Sequence, residues 1–167
     1  MNHLFRNIIF FLVLAFAVLC VKNISAQKTS KSDAKKMQYE NSVENKQFVF
    51  HAQTVLPLKM ATRNITVDDY IVKISNDTLE SHLPYFGQAY QAQIGTSVSA
   101  LDFTSTNFSY NVTPGKNKRW NVIVNIKDKN GMQYSFIIFN NGNASLHVSS
   151  IERDPISFQG YITPLKN

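Results

Sequence analysis

Cysteine occurs once in the 167 residues, at Cys20 within an apolar N-terminal stretch. A chain that loses that stretch has no disulfide, no thiol nucleophile and no cysteine metal site, so its core must hold it together. No Gly-rich phosphate loop, nucleophile elbow, metalloprotease helix motif or calcium loop is present, which removes the local signatures of the commonest enzyme classes. Internal repeats and low-complexity tracts are also missing. There is no spanning-length apolar run either: the longest, Ile8 to Val21, has about 14 residues where a membrane helix needs ~20.

That short run is flanked by Arg6 on one side and by Ile24-Ser25-Ala26 on the other. A basic n-region, a short apolar core and a small-residue end form the layout of a secretory signal peptide, with cleavage expected after Ala26. Ala17-Val18-Leu19-Cys20 resembles a lipoprotein box, but Leu19 is too bulky for the small-residue pocket that such processing uses. The expected product is an exported protein, periplasmic or at the cell surface, without an acyl anchor.

Positive charge is in excess, with 17 basic against 11 acidic residues. Removing Arg6 and Lys22 with the leader leaves 15 against 11, a net +4. Half of that sits in the 21 residues from Gln27 to Gln47, where five lysines face three carboxylates, while Phe48 to Asn167 has 10 basic and 8 acidic residues. No basic stripe with interleaved aromatics follows, so nucleic acid is not an expected partner despite a pI near 9.4.

Three segments result: 1–26 as signal peptide, 27–46 as a polar stalk passing into a short helix around Ser32 to Glu44, and 47–167 as a β domain. From Phe48 onward apolar and polar residues alternate between Asn, Asp, Gly and Pro, the pattern of antiparallel strands. Phe48, Phe50 and Ala52 share one face of a first strand, and a short second strand is expected around Arg63 to Val67. Tyr70, Val72 and Ile74 pair through an Asn76-Asp77 turn with Leu79, Ser81 and Leu83. Trp120, Val122, Val124 and Ile126 form an inward stripe answered, after Asp128-Lys129-Asn130-Gly131, by Met132, Tyr134, Phe136 and Ile138. Ala144, Leu146 and Val148, then Ile156, Phe158, Gly160 and Ile162, continue the series. Between Asp102 and Val112 the apolar parity slips, which predicts a bulge near Ser105 to Asn107. The expected fold is all-β, an antiparallel meandering barrel or two-sheet sandwich of about 8–9 strands behind a short N-terminal helix.

Candidate chemistry is thin. His51, His82 and His147 lie at outward strand positions without a second ligand at metal spacing, so no metal or cofactor is expected. Asp68-Asp69, Asp77 with Glu80, and Glu152 with Asp154 adjoin turns, where capping explains carboxylates. Six Asn-x-Ser/Thr triplets read as coincidence in an Asn- and Ser-rich chain. The segment that stands apart is Leu83-Pro84-Tyr85-Phe86-Gly87-Gln88-Ala89-Tyr90. One reading is an aromatic contact loop built on Tyr85, Phe86, Gly87 and Tyr90. The other is a structural corner in which Pro84 ends a strand, Gly87 permits a tight bend and an aromatic plugs the core. The two combine in an expectation of Tyr85 or Phe86 as a buried anchor and Tyr90 as more exposed.

Together with Phe48-Val49-Phe50-His51-Ala52-Gln53-Thr54, Leu101-Asp102-Phe103-Thr104-Ser105 and Ile156-Ser157-Phe158-Gln159-Gly160-Tyr161-Ile162, this segment resembles the Bacteroidetes envelope family named domain of unknown function 4251. Gln88 departs from the basic residue expected there, and Cys20 lacks the small neighbour of the family's lipoproteins. The resemblance implies an exported β domain and carries over no catalytic or ligand-binding residue. The functional expectation is a non-enzymatic binding or interaction module whose partner is an envelope protein, a glycan or a small ligand. A lipocalin-like carrier of an apolar ligand is the alternative, and an unrecognised hydrolase a third. A hollow barrel needs room, and inward Trp120, Tyr134, Phe136 and Phe158 are large enough to fill it.

Overall fold

A computed structural model of the chain describes residues 33–66, 69–88, 99–116 and 119–165. The chain divides into two compact units, Met1–Met37 and Gln38–Asn167. Of the first, only the opening turns of helix α1 (residues 33–44) are described. In the second, α1 ends where Lys46 adopts φ 56°. That left-handed residue is unusual for lysine, and it is held because the Asn76 amide donates to the Lys46 carbonyl at 2.9 Å. One helical turn earlier Val43 is fully buried, so the C-terminal half of α1 contributes to the sheet's core.

Among the described residues ten strands follow: β1 Gln47–Pro57, β2 Arg63–Asn64, β3 Ile71–Ser75, β4 Thr78–Leu83, β5 Leu101–Ser105, β6 Phe108–Gly115, β7 Arg119–Ile126, β8 Met132–Phe139, β9 Asn143–Ser150 and β10 Arg153–Pro164. All pairings are antiparallel. They run in the order β5-β4-β3-β1-β10-β9-β8-β7-β6, with the two-residue β2 beside β1. Two meanders, β1-β3-β4-β5 and β6 to β10, are therefore joined along the β1/β10 pair. The expected stripes are the observed register: Trp120 opposes Ile138, Val122 opposes Phe136, Val124 opposes Tyr134 and Ile126 opposes Met132. Gly131 in the turn between β7 and β8 has φ 62°, and of the Asn76-Asp77 pair only Asn76 takes a positive φ.

The sheet curls around its own core. Strands lie about 4.8 Å apart, so in a flat sheet β1 and β8, three steps apart, would be separated by ~14 Å and β4 and β8, five steps apart, by ~24 Å. Yet the rings of Phe48 and Phe50 meet Phe136 edge-on at 5.8 and 5.7 Å. The Ser81 hydroxyl on β4 lies 2.9 Å from the Tyr134 hydroxyl on β8. The interior is filled by Phe48, Phe50, Tyr134, Phe136 and Phe158, all essentially without solvent contact. Burial pushes the Tyr134 hydroxyl well above the ordinary tyrosine range, so it stays protonated and serves as a donor.

Two local expectations are corrected. The parity slip at Ser105 to Asn107 is not a bulge within one strand paired to one neighbour. Instead, β5 pairs with β4 and β6 with β7, so two residues carry the chain from one edge of the sheet to the other. A real bulge occurs in β1, where the register skips Gln53 between Ala52 and Thr54. Of the strand expected over Arg63 to Val67, Val67 lies outside the described residues, and within Arg63 to Thr66 only Arg63–Asn64 pair, because the Asn64 side chain accepts from the Thr66 amide at 2.9 Å and turns the backbone away from the ladder.

Candidate functional site

The segment Leu83 to Gln88 leaves β4 at the end of the sheet where β1 finishes and β10 begins. Pro84 is buried and offers no amide to a ladder, which ends the strand there. Tyr85 then turns back against the half-buried rim of the core, its hydroxyl 3.0 Å from the carbonyls of both Gln88 and Asp154. One proton serves two acceptors. The Asp154 amide in turn donates to the Gln88 carbonyl at 3.1 Å. Gly87 is required by this closure, since a Cβ at that position would stand 2.6 Å from the Tyr85 hydroxyl oxygen.

Two arginines cover the aromatics. The Arg153 guanidinium lies 5.5 Å from the Tyr85 ring centroid and that of Arg63 lies 5.1 Å from the Phe86 centroid, both within cation–π range. Beneath them Asp154 is 4% exposed, and its carboxylate takes Lys59 at 3.3 Å. The same ammonium lies 3.3 Å from Gln88 Oε1. Burying a carboxylate is costly unless it is paired, so Lys59 clamps the loop after β1 onto the start of β10.

The structure thus places Tyr85 and Phe86 half-buried as the corner, and Gly87 and Gln88 exposed at its tip. Tyr90 lies outside the described residues. Asp154, read from the sequence as a turn carboxylate, is corrected to an inward strand position. It shares the parity of Ile156, Phe158 and Ile162, and that phase is the signal that would have found it. Its neighbour Glu152 accepts from Asn130.

The other candidates stand apart from this cluster and from one another. His51 stacks on Tyr161 at 4.9 Å and its Nε2 lies 2.9 Å from the Thr163 hydroxyl. Burial lowers its pKa below the ordinary value of 6.5, partly offset by Asp69. His82 meets Asp102 at 3.1 Å and His147 meets Ser157 at 2.9 Å. Glu80 pairs with Lys73 at 2.9 Å, and Asp68 lies outside the described residues. Among the described residues no three His, Cys, Asp or Glu side chains converge to hold a metal ion. Surface recesses lined by described residues include one of about 100 Å³ beside His51, Asp69 and Tyr161, and an open groove of about 430 Å³ between Glu40, Glu44 and Lys46 and the Tyr110, Pro114 and Trp120 side. Neither enters the packed interior.

Fold and corner together define an all-β antiparallel meander domain with a clamped aromatic turn. The chain belongs to the family described as Domain of unknown function (DUF4251), whose model matches residues 30–162. Its structure is similar to the crystal structure of a DUF4251 family protein from Bacteroides eggerthii DSM 20697. The two share 16% identity and a TM-score of 0.54 over 80% of this chain and 91% of that one, a likeness of fold. No curated protein matches the chain. Among the described residues no helix is long and apolar enough to cross a membrane.

Proposed function

We propose that this protein is an exported, non-enzymatic interaction module of the cell envelope, and that it meets its partner with the end of the sheet carrying Tyr85 to Gln88. The observation that carries this reading is the clamped corner, in which Tyr85, Asp154 and Lys59 fix an exposed Gly87-Gln88 tip beside two arginines that lie over Tyr85 and Phe86. A tip held from behind loses little freedom on binding, which favours recognition. The filled interior favours a surface contact over a ligand carried inside the sheet. Export is supported by the layout of residues 1–26.

A photo-crosslinking residue at Gln88, in the chain expressed in its own host, tests the contact. The expected result is a discrete adduct from position 88 and none from Thr113, exposed on β6 near its far end. Adducts from Thr113 alone would refute the assigned face. Mass spectrometry of the same material tests export, with Gln27 expected at the N-terminus; an intact leader or an acylated Cys20 would refute it.

A further inference from the structure

Among the described residues of the β domain the three most exposed large apolar side chains lie at one end, on loop tips. They are Ile151 at 76%, Leu58 at 60% and Met60 at 45%, whereas the next, Ile123 and Phe139, reach only 38%. Leu58 and Met60 flank Lys59 in the loop after β1, and Ile151 lies two residues before Arg153 in the turn into β10. The Lys59 to Asp154 ion pair fastens the two loops together. Ile151 also overhangs the next turn, since a Cβ at Gly131 would stand 3.2 Å from its Cγ2. Isolated exposed apolar residues are ordinary on a soluble domain; three projecting tips gathered at one end among cations are not.

The cations there are of a particular kind. Arg63 and Arg153 lie over Phe86 and Tyr85, and neither makes an ion pair among the described residues. A guanidinium held over a ring face is restrained by the cation–π contact and keeps its fork of N–H donors, the group that takes phosphate oxygens in pairs. Asp154 is already neutralised by Lys59, and Glu152 is engaged by Asn130.

From this arrangement we infer that the end of the sheet formed by Leu58, Met60, Ile151, Arg63 and Arg153 docks on an anionic phospholipid surface. The apolar tips enter the interface and the two guanidiniums lie at the level of the phosphates. The inference rests on the interaction-module reading and names its partner. Three tips that project from two loops, with Lys59 between two of them, suit a fluid interface better than a folded protein partner, which would need a concave or flat apolar patch. Charge complementarity selects the anionic surface.

The test is co-sedimentation of the full chain with vesicles, so that any contribution of residues 1–26 is common to every variant. Phosphatidylcholine vesicles are compared with others holding about 30% phosphatidylglycerol. Stronger binding to the anionic vesicles is expected. It should fall about 30-fold in Arg63→Gln/Arg153→Gln and at least ~10-fold in Leu58→Ser/Met60→Ser/Ile151→Ser, with unchanged melting in both. Equal binding to both vesicle types, or variants that bind like the parent, would overturn the inference. A protein adduct from position 88 without vesicle binding would overturn it while leaving the interaction module standing; loss of both would remove both.

Discussion

The contact between Ser81 and Tyr134 offers a quantitative check on the curl of the sheet. Ser81 Oγ lies 2.7 Å from the Leu101 carbonyl and 2.9 Å from the Tyr134 hydroxyl, all of it buried. Its single proton goes to the carbonyl, so Tyr134 is the donor to Ser81. Tyr134→Phe removes one donor and leaves the serine proton satisfied, at a cost of ~1 kcal/mol. Ser81→Ala is more severe, because it strands a fully buried tyrosine hydroxyl; the cost is ~2 kcal/mol. The double variant strands no tyrosine hydroxyl, and its loss of the donor to Leu101 is shared with Ser81→Ala, so it should cost ~1–1.5 kcal/mol less than the sum of the single losses. Urea denaturation with an unchanged m-value measures all four corners of this cycle. Additive losses within ~0.3 kcal/mol would show that the two hydroxyls do not touch, and β4 and β8 would then not face each other across a common core.

Two further substitutions probe the β1/β10 seam. A Cβ at Gly160 would collide with the carbonyl oxygen of His51, a backbone atom beside the bulge that cannot swing aside. Gly160→Ala should therefore lower stability by ~1–3 kcal/mol in urea titration, and a loss under ~0.5 kcal/mol would contradict that close approach. His51 has a folded pKa below 6.5, chiefly through burial. Its unfolded form thus takes up a proton first, and its contribution to stability is complete above pH 6.5 and is lost as pH falls through the folded value. Denaturation from pH 7.5 down to 5 should show a steeper decline in the wild type than in His51→Gln, and parallel curves would refute the assignment.

The stripes of β1, β4, β7, β8, β9 and β10 were legible because each strand has one face on the core, which makes period-2 alternation a direct record of burial. The slip near Ser105 was visible too, but parity alone cannot tell a bulge from a change of partner. Asp154 was obscured because a carboxylate next to a proline and a turn is normally solvated. The arginine stacks had no local signal at all: Arg153 meets Tyr85, and Arg63 meets Phe86, only after the strands have paired. Sequence therefore pointed to the Leu83 to Gln88 corner through its unusual composition, while the cations that give it a chemistry came from β2, the start of β10 and the loop after β1.

Hydroxyl-radical footprinting of the protein in its native envelope, against the same protein purified, tests the assigned contact face most directly. Leu58, Met60, Ile151 and Phe86 should be protected in the envelope, while Ile123, Phe139 and Tyr161, exposed on other strands, should react equally in both states. Protection of Ile123, Phe139 or Tyr161 with no change at Met60 and Ile151 would contradict it.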